Sequence, residues 1–356
     1  MVHLSQLREV AKFAFAYTGV VVGAGFSTGQ EVIQFFTNYG LYSFVGSFIA
    51  GLLLVFVGRQ TAKIGSIYHV ESHEVPLEKL FGHTAGKIID YVLSFFMYGL
   101  AVIMIAGSGA NLNEGFGVPA AIGSILTIIL VLVTLLMDFD KIMNVLGSVT
   151  PILLIMVVTM AITNLVITDT SFTEAATHAD ISRTPNGVWW FDAIVYMGLQ
   201  MGVAFSFLVL MGSDADKHEI AKKGSLLGGL IVLVLVVLMN GSLLTVLEKA
   251  NQMSIPALVM ANNVHPIFGT LYSILIIALI YNTVVGLMYG FLARFTTPRS
   301  RNYKIMLIVS LIIAYIFTFI GFVDLVNMFY PIFGYLGALL GLALSVLWVR
   351  KKIQRS

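Results

Sequence analysis

The chain has 356 residues, 58% hydrophobic and 11% charged, with a mean hydropathy of +0.94 and a formal net charge of +2. Soluble domains hold roughly 45–50% apolar and about 25% charged residues, so a soluble fold of this size could not hide so much apolar surface. The basic residues form no patch or arginine-rich arm, which argues against nucleic acid as a partner. The lack of cysteine excludes disulfides, thiolate metal sites and cysteine nucleophiles.

Charges, prolines and polar clusters divide the chain into ten apolar segments, at about 9–38, 41–62, 87–111, 118–137, 142–168, 187–212, 219–247, 266–295, 304–322 and 325–349. A helix needs about 20 residues to cross a hydrocarbon core roughly 30 Å thick. Backbone groups in lipid have to bond internally, and these runs are too long and too uniformly apolar for the alternating strands of a membrane barrel. The expected fold class is an all-α integral membrane protein of about ten transmembrane helices. It forms one transmembrane domain over residues 1–356.

The first segment reads as a retained span, because no small-residue cleavage site follows its apolar run. It carries Gly19, Gly23, Gly25 and Gly29 with Ser27, Thr28, Gln30 and Glu31 in TGVVVGAGFSTGQE. Glycine weakens a helix and frees backbone groups, so the middle of this span is a candidate break. Glu31 is the one carboxylate well inside a span, and an intramembrane acid is by default a functional hypothesis. If the helix runs on past Gly25, Glu31 lies six residues and roughly 9 Å further toward the outer face. Its open roles are proton coupling, pairing with a substrate ammonium, outer gating, or a structural hydrogen bond with Gln34 or a neighbouring helix.

Residues 66–86 form an inner loop with a surface helix expected around PLEKLFG. His69 and His73 are four apart there, near Glu71 and Glu74, but a solvated loop face accounts for them without a metal. The third segment holds Tyr98 midway, and residues 169–186 form an acidic outer loop. The sixth segment, YMGLQMGVAFSFLVLMG, repeats the interruption with Gly198, Gln200, Gly202 and Ser206. Interruptions at matching places in two halves point to a transporter site; close packing through small residues is the other reading. Residues 250–265 suggest a short outer helix lying over the bundle as a lid. No ATP-binding motif appears, since GAGFSTG lacks the Walker lysine and lies within a span.

With the N-terminus inside, eighteen of the twenty Lys and Arg residues fall on the inner side, and only Arg183 and Lys249 on the outer. That is the positive-inside pattern of a multi-pass protein with both termini cytoplasmic.

The runs VVVGAGFSTGQE, PLEKLFGHTAGKI and IPALVMANNVHPIFGTLY resemble the YkvI-type family of bacterial membrane proteins, within the amino acid–polyamine–organocation superfamily. The similarity runs over nearly the whole chain. It implies the five-plus-five inverted repeat of the bacterial leucine transporter, with repeats at about 9–168 and 187–349 and helices one and six broken. The superfamily's break then matches Gly23, Ala24 and Gly25, with Phe26 and Ser27 beside them, and the stretch Gly198–Gly202 around Gln200; these line the solute site. Tyr98 matches in depth an aromatic that closes over substrate. A sodium ion, where one is used, falls between the carbonyls of Gly19 and Val22 and the residues Asn282 and Thr283 of IALIYNTVVGLMYG. The leading expectation is a secondary transporter in the bacterial cytoplasmic membrane, moving an amino acid or related amine on a sodium or proton gradient. No cofactor beyond sodium is expected, and the oligomeric state is open. The rival expectation is a transporter-like membrane receptor for a small molecule.

Overall fold

The computed structural model describes residues 2–68, 77–78, 81–137, 149–215, 218–297 and 300–353. The His69–His73 pair, Pro76, Lys79 and Leu80 of PLEKLFG and the start of the fifth segment lie outside the described residues. Each apolar segment carries helix. The first is divided into α1 (Val2–Val21), α2 (Ala24–Thr28) and α3 (Gln30–Phe35). There follow α4 (Tyr42–Tyr68), α5 (His83–Phe116), α6 (Ala120–Leu136) and α7 (Val149–Ile167). The second half contains α8 (Trp189–Asp214), α9 (His218–Thr245), the short α10 (Ala257–Val264), α11 (Pro266–Phe295), α12 (Arg301–Thr318) and α13 (Phe322–Ile353).

Among the described residues seven helices are long and apolar enough to cross a membrane: α4, α5, α8, α9, α11, α12 and α13. An eighth span results if Pro151–Ile167 is joined to Phe172–His178, which bends away by 107°. The difference from ten segments has local causes. The first segment is interrupted by glycine, and α6 has only 17 residues.

Local chemistry sets the helix ends. His265 accepts the Ile267 N–H ahead of Pro266, whose fixed φ and missing N–H suit a first turn. Ser300 accepts the Tyr303 N–H to start α12. Helix α5 stops at Gly117, whose φ of 69° takes the chain into the left-handed region.

Helix α1 packs on α9, α4 against both α8 and α9, and α8 along α13, while α5 pairs with α11. The divided first segment runs between these groups. Its α2 touches α5, α10 and α11, and its α3 touches α8, α9 and α13. Side chains such as Ile155, Val166 and Leu342 are exposed on the outside, as a lipid-facing surface requires.

The sixth segment corrects an expectation, because α8 is continuous from Trp189 to Asp214 with no break at Gly198–Gly202. Its glycines serve close helix packing instead. A Cβ on Gly198 would stand 2.0 Å from the Gly334 carbonyl oxygen of α13, and one on Gly337 would stand 1.8 Å from the Gly198 oxygen. Gly202 faces the Phe96 ring, 3.0 Å from where its Cβ would be. Backbone contact of this kind is how membrane helices gain dispersion energy where lipid supplies no hydrophobic drive.

At one end of the bundle the Glu114 carboxylate of α5 accepts the N–H groups of Ser254 (2.5 Å) and Ile255 (2.9 Å), tethering the strand that leads into α10. At the other end of α5, Asp90 pairs with Arg294 of α11, whose guanidinium also lies over the Tyr91 ring at 5.1 Å. At the Glu114 end Asn111 of α5 also donates to the Ser273 carbonyl of α11 at 3.0 Å, so the α5–α11 pair is joined near both ends. The packing at Gly198 yields a prediction. Gly198→Ala should destabilise the purified protein by about 1–3 kcal/mol, because the obstructing atom is backbone. Gly286→Ala, where an added Cβ meets nothing within 4 Å, should leave the melting temperature unchanged or slightly raised.

Candidate functional site

Helix α1 ends at Val21, and the Val22 N–H donates to the Thr18 oxygen at 2.7 Å. The last carbonyls of a helix lack the N–H donors that a continuing turn would bring, so those of Gly19, Val20 and Val21 are released here. Gly23, in extended conformation, caps α2, whose five residues end at a second glycine. Gly29 has φ 79°, and a Cβ there would stand 3.0 Å from the Ala257 nitrogen of α10. A side chain here would be strained by the positive φ and crowded by α10.

That second turn overturns the estimate for Glu31. Because the helix is interrupted at Gly29 rather than running on, the carboxylate is not 9 Å beyond the break but beside it. Glu31 Oε2 would stand 2.9 Å from a Cβ on Gly25, with the Tyr330 hydroxyl 3.1 Å from the same point. Oε1 accepts the Tyr196 hydroxyl at 3.1 Å and the Gln200 amide at 2.8 Å. Glu31 is only 4% exposed. Its two recorded donors are neutral, and they sit one helical turn apart on the same face of α8.

A cavity of about 290 Å³ lies against this carboxylate, bounded by the divided first segment, α5, α8, α11 and α13. Nine of the fourteen site residues read from the sequence line it: Gly19, Gly23, Ala24, Gly25, Phe26, Glu31, Gln200, Asn282 and Thr283. The remaining wall is largely apolar, with Leu100, Met104, Val203 and Phe207. Asn282 Oδ1 is buried and has no hydrogen-bond partner among the described residues.

Five expected residues stand elsewhere. Ser27 is buried behind the cavity, its hydroxyl donating to Ala24 O and its carbonyl accepting the Tyr272 hydroxyl at 2.7 Å. Val22 is fully buried outside the lining. Gly198 and Gly202 are packing positions, as described above. Tyr98 donates to the Ser310 carbonyl at 2.8 Å and stacks on Phe291; it borders a separate apolar cavity with Phe95, Phe329 and Phe333. A tyrosine at the right depth is not thereby on the right face of its helix.

Tyr196 and Tyr330 were missed. Tyr196 was legible, since it precedes Gln200 by four residues and so shares its helix face. Tyr330 precedes Pro331 within α13, and nothing in that apolar run links it to Glu31.

No protein-family model matches the chain. The membrane protein YkvI of Bacillus subtilis is 30% identical over 93% of this chain and 95% of its own length. The chain belongs to the YkvI family. A second Bacillus subtilis protein, YyaD, is 27% identical over 92% of this chain and 94% of its own. Among solved structures, MhsT in complex with L-phenylalanine has a TM-score of 0.62 at 15% identity, covering 94% of this YkvI-family chain and 87% of MhsT. A variant of the manganese transporter of Eremococcus coleocola has a TM-score of 0.56 at 15% identity, covering 86% and 70%. At such identity the likeness establishes the fold, the leucine-transporter fold of membrane transporters.

The geometry around Glu31 separates its charge from its hydrogen bonds. In Glu31→Gln the amide oxygen still accepts from Tyr196 and Gln200, so the melting temperature should stay within about two degrees. Glu31→Leu leaves two buried donors without their acceptor, at about 1–3 kcal/mol each, and should melt several degrees lower.

Proposed function

We propose that this protein is a secondary active transporter, moving a small organic solute, an amino acid or related amine, by alternating access on a sodium or proton gradient. The observation that carries the reading is the cavity at the break of the first span. Released carbonyls, a buried carboxylate and polar groups of two further helices converge there on one small space in the middle of the bundle. Half-helix ends and unwound backbone at mid-depth are how transporter folds bind solute and ions. Side chains from α8 and α11 complete the constellation.

The same reading takes ten spans in two inverted halves, at about 9–168 and 187–349, in the bacterial cytoplasmic membrane with both termini cytoplasmic. The charge distribution supports that orientation. The packing supports the two halves: α1 on α9 is matched by α8 on α4, the pair that a five-plus-five repeat exchanges. The halves differ in one respect. Where the first contributes unwound backbone, the second contributes Gln200 and Tyr196 from an intact helix.

In this orientation the lining from Gly19–Val21, Val203–Phe207 and Asn282–Leu287 lies on the cytoplasmic side of Glu31. On the opposite side α10 rests on the Gly29 turn, and the Tyr272 hydroxyl holds the Ser27 carbonyl. This arrangement matches the inward-facing half of a transport cycle, with Glu31 at the boundary between open and closed sides.

A sodium ion fits the donor chemistry. Gly19, Asn282 and Thr283 line one cavity, and Asn282 Oδ1 is a buried oxygen without a partner. Oxygen donors of this kind suit a hard cation. Val22 is outside the lining and would not take part. Glu31 is the corresponding group for a proton-coupled cycle.

The test is flux through the purified protein in sealed liposomes, for amino acids and amines under imposed sodium or pH gradients. The reading expects accumulation above equilibrium driven by one of these gradients without ATP. It also expects Gly286→Leu, which extends a side chain into open cavity, to cut uptake at least tenfold with little change in melting temperature. Ligand binding with no flux under any gradient would instead indicate the membrane receptor.

A further inference from the structure

We propose that the solute is a small organic amine lacking a carboxylate, bound as a cation with its ammonium against Glu31 and its apolar body against the opposite wall. The inference rests on the transport reading of this same cavity and names its substrate class.

Charge gives the first argument. Glu31 is the one carboxylate that lines the cavity, and among the described residues lining it none is Lys, Arg or His. Tyr196 and Gln200 orient the carboxylate but carry no charge to balance it. A buried carboxylate has either to take up a proton or to be paired, and a cationic solute is suited to supply that pairing charge. A zwitterionic amino acid would bring a second carboxylate into the same confined space, where like charges repel strongly.

Donor and acceptor counting gives the second. An ammonium has three donors and no acceptor. The acceptor that the cavity offers it is Glu31 Oε2, beside Gly25, which leaves the Gly19 carbonyl and Asn282 Oδ1 to a sodium ion. Tyr196 and Gln200 are committed to Glu31 Oε1, and the other side-chain donors in the lining, on Asn282, Thr283 and Tyr330, are neutral and supply no charge to balance a solute carboxylate.

The wall gives the third. Leu100, Met104, Leu199, Val203, Phe207 and Leu287 leave a hydrated metal ion few oxygen partners on that side. No group of three or more His, Cys, Asp or Glu residues gathers among the described residues. An apolar body of modest size fits better, since about 290 Å³ is at the lower edge of small-molecule sites, which run from about 300 to 1,000 Å³.

The experiment compares amino acids with their decarboxylated partners: leucine with isoamylamine, and phenylalanine with phenethylamine. Each is titrated against the purified full-length protein, and binding is read from thermal stabilisation in sodium and in sodium-free buffer. In at least one pair the amine should bind ten times more tightly or better, about 1.4 kcal/mol, in both buffers. Glu31→Gln should weaken that amine at least tenfold while changing its amino acid partner much less. An amino acid that binds as tightly as its amine, or amine binding that survives Glu31→Gln undiminished, overturns the inference and leaves the transport reading intact. Failure of every compound to bind in either buffer counts against the cavity as a solute site, and so against both.

Discussion

A carboxylate among lipid-embedded helices has to find partners within the protein, and for Glu31 that requirement shapes the surroundings. The helix is interrupted at Gly29, and the Glu31 side chain lies level with the break. Gly25 carries no side chain, leaving space for Oε2. Tyr196 and Gln200 stand one turn apart on α8, so both donors reach Oε1 from one rigid helix. A break in α8 between them would release that spacing. The continuity of α8, unexpected from its glycines, is thus part of how the acid is held.

The fold supports this arrangement from two directions. Close contact of α8 with α13, made possible by Gly198, Gly334 and Gly337, positions the donors and brings Tyr330 up to the carboxylate. On the other side α5 and α11 are joined near both ends, by Asp90 with Arg294 and by Asn111 with the Ser273 carbonyl. The divided first segment lies between these two assemblies, with α1 packed on α9 and α2 against α5 and α11. Its breaks are where backbone groups become available.

Much of this was legible in the sequence because lipid imposes few solutions. The length and apolarity of the segments required helices, and the Gly23–Gly25 cluster beside an intramembrane acid marked the site. Two things were not legible, for related reasons. Glycine serves both to unwind a helix and to let another approach, and only the partner surface decides which: Gly23 has no crowding neighbour, while Gly198 has the backbone of α13 against it. Depth along a span is likewise only one coordinate. Tyr98 had the right depth and the wrong face, whereas Glu31 was assigned a depth along a helix that stops at Gly29. Tyr330 was invisible because its relation to Glu31 exists only through the packing of the last helix on the first.

The claim that the solute occupies the cavity beside Glu31 is open to a direct measurement, because the chain contains no cysteine. Single cysteines at Val203 and at Leu287, on two different walls, can be labelled with a small thiol reagent in sealed vesicles, with and without a transported amine. The account predicts that both are labelled and that the amine slows the reaction at both positions, while a cysteine at Tyr98 is unaffected. Equal labelling with and without the amine at Val203 and Leu287, under conditions where flux is observed, would place the solute elsewhere and contradict the account.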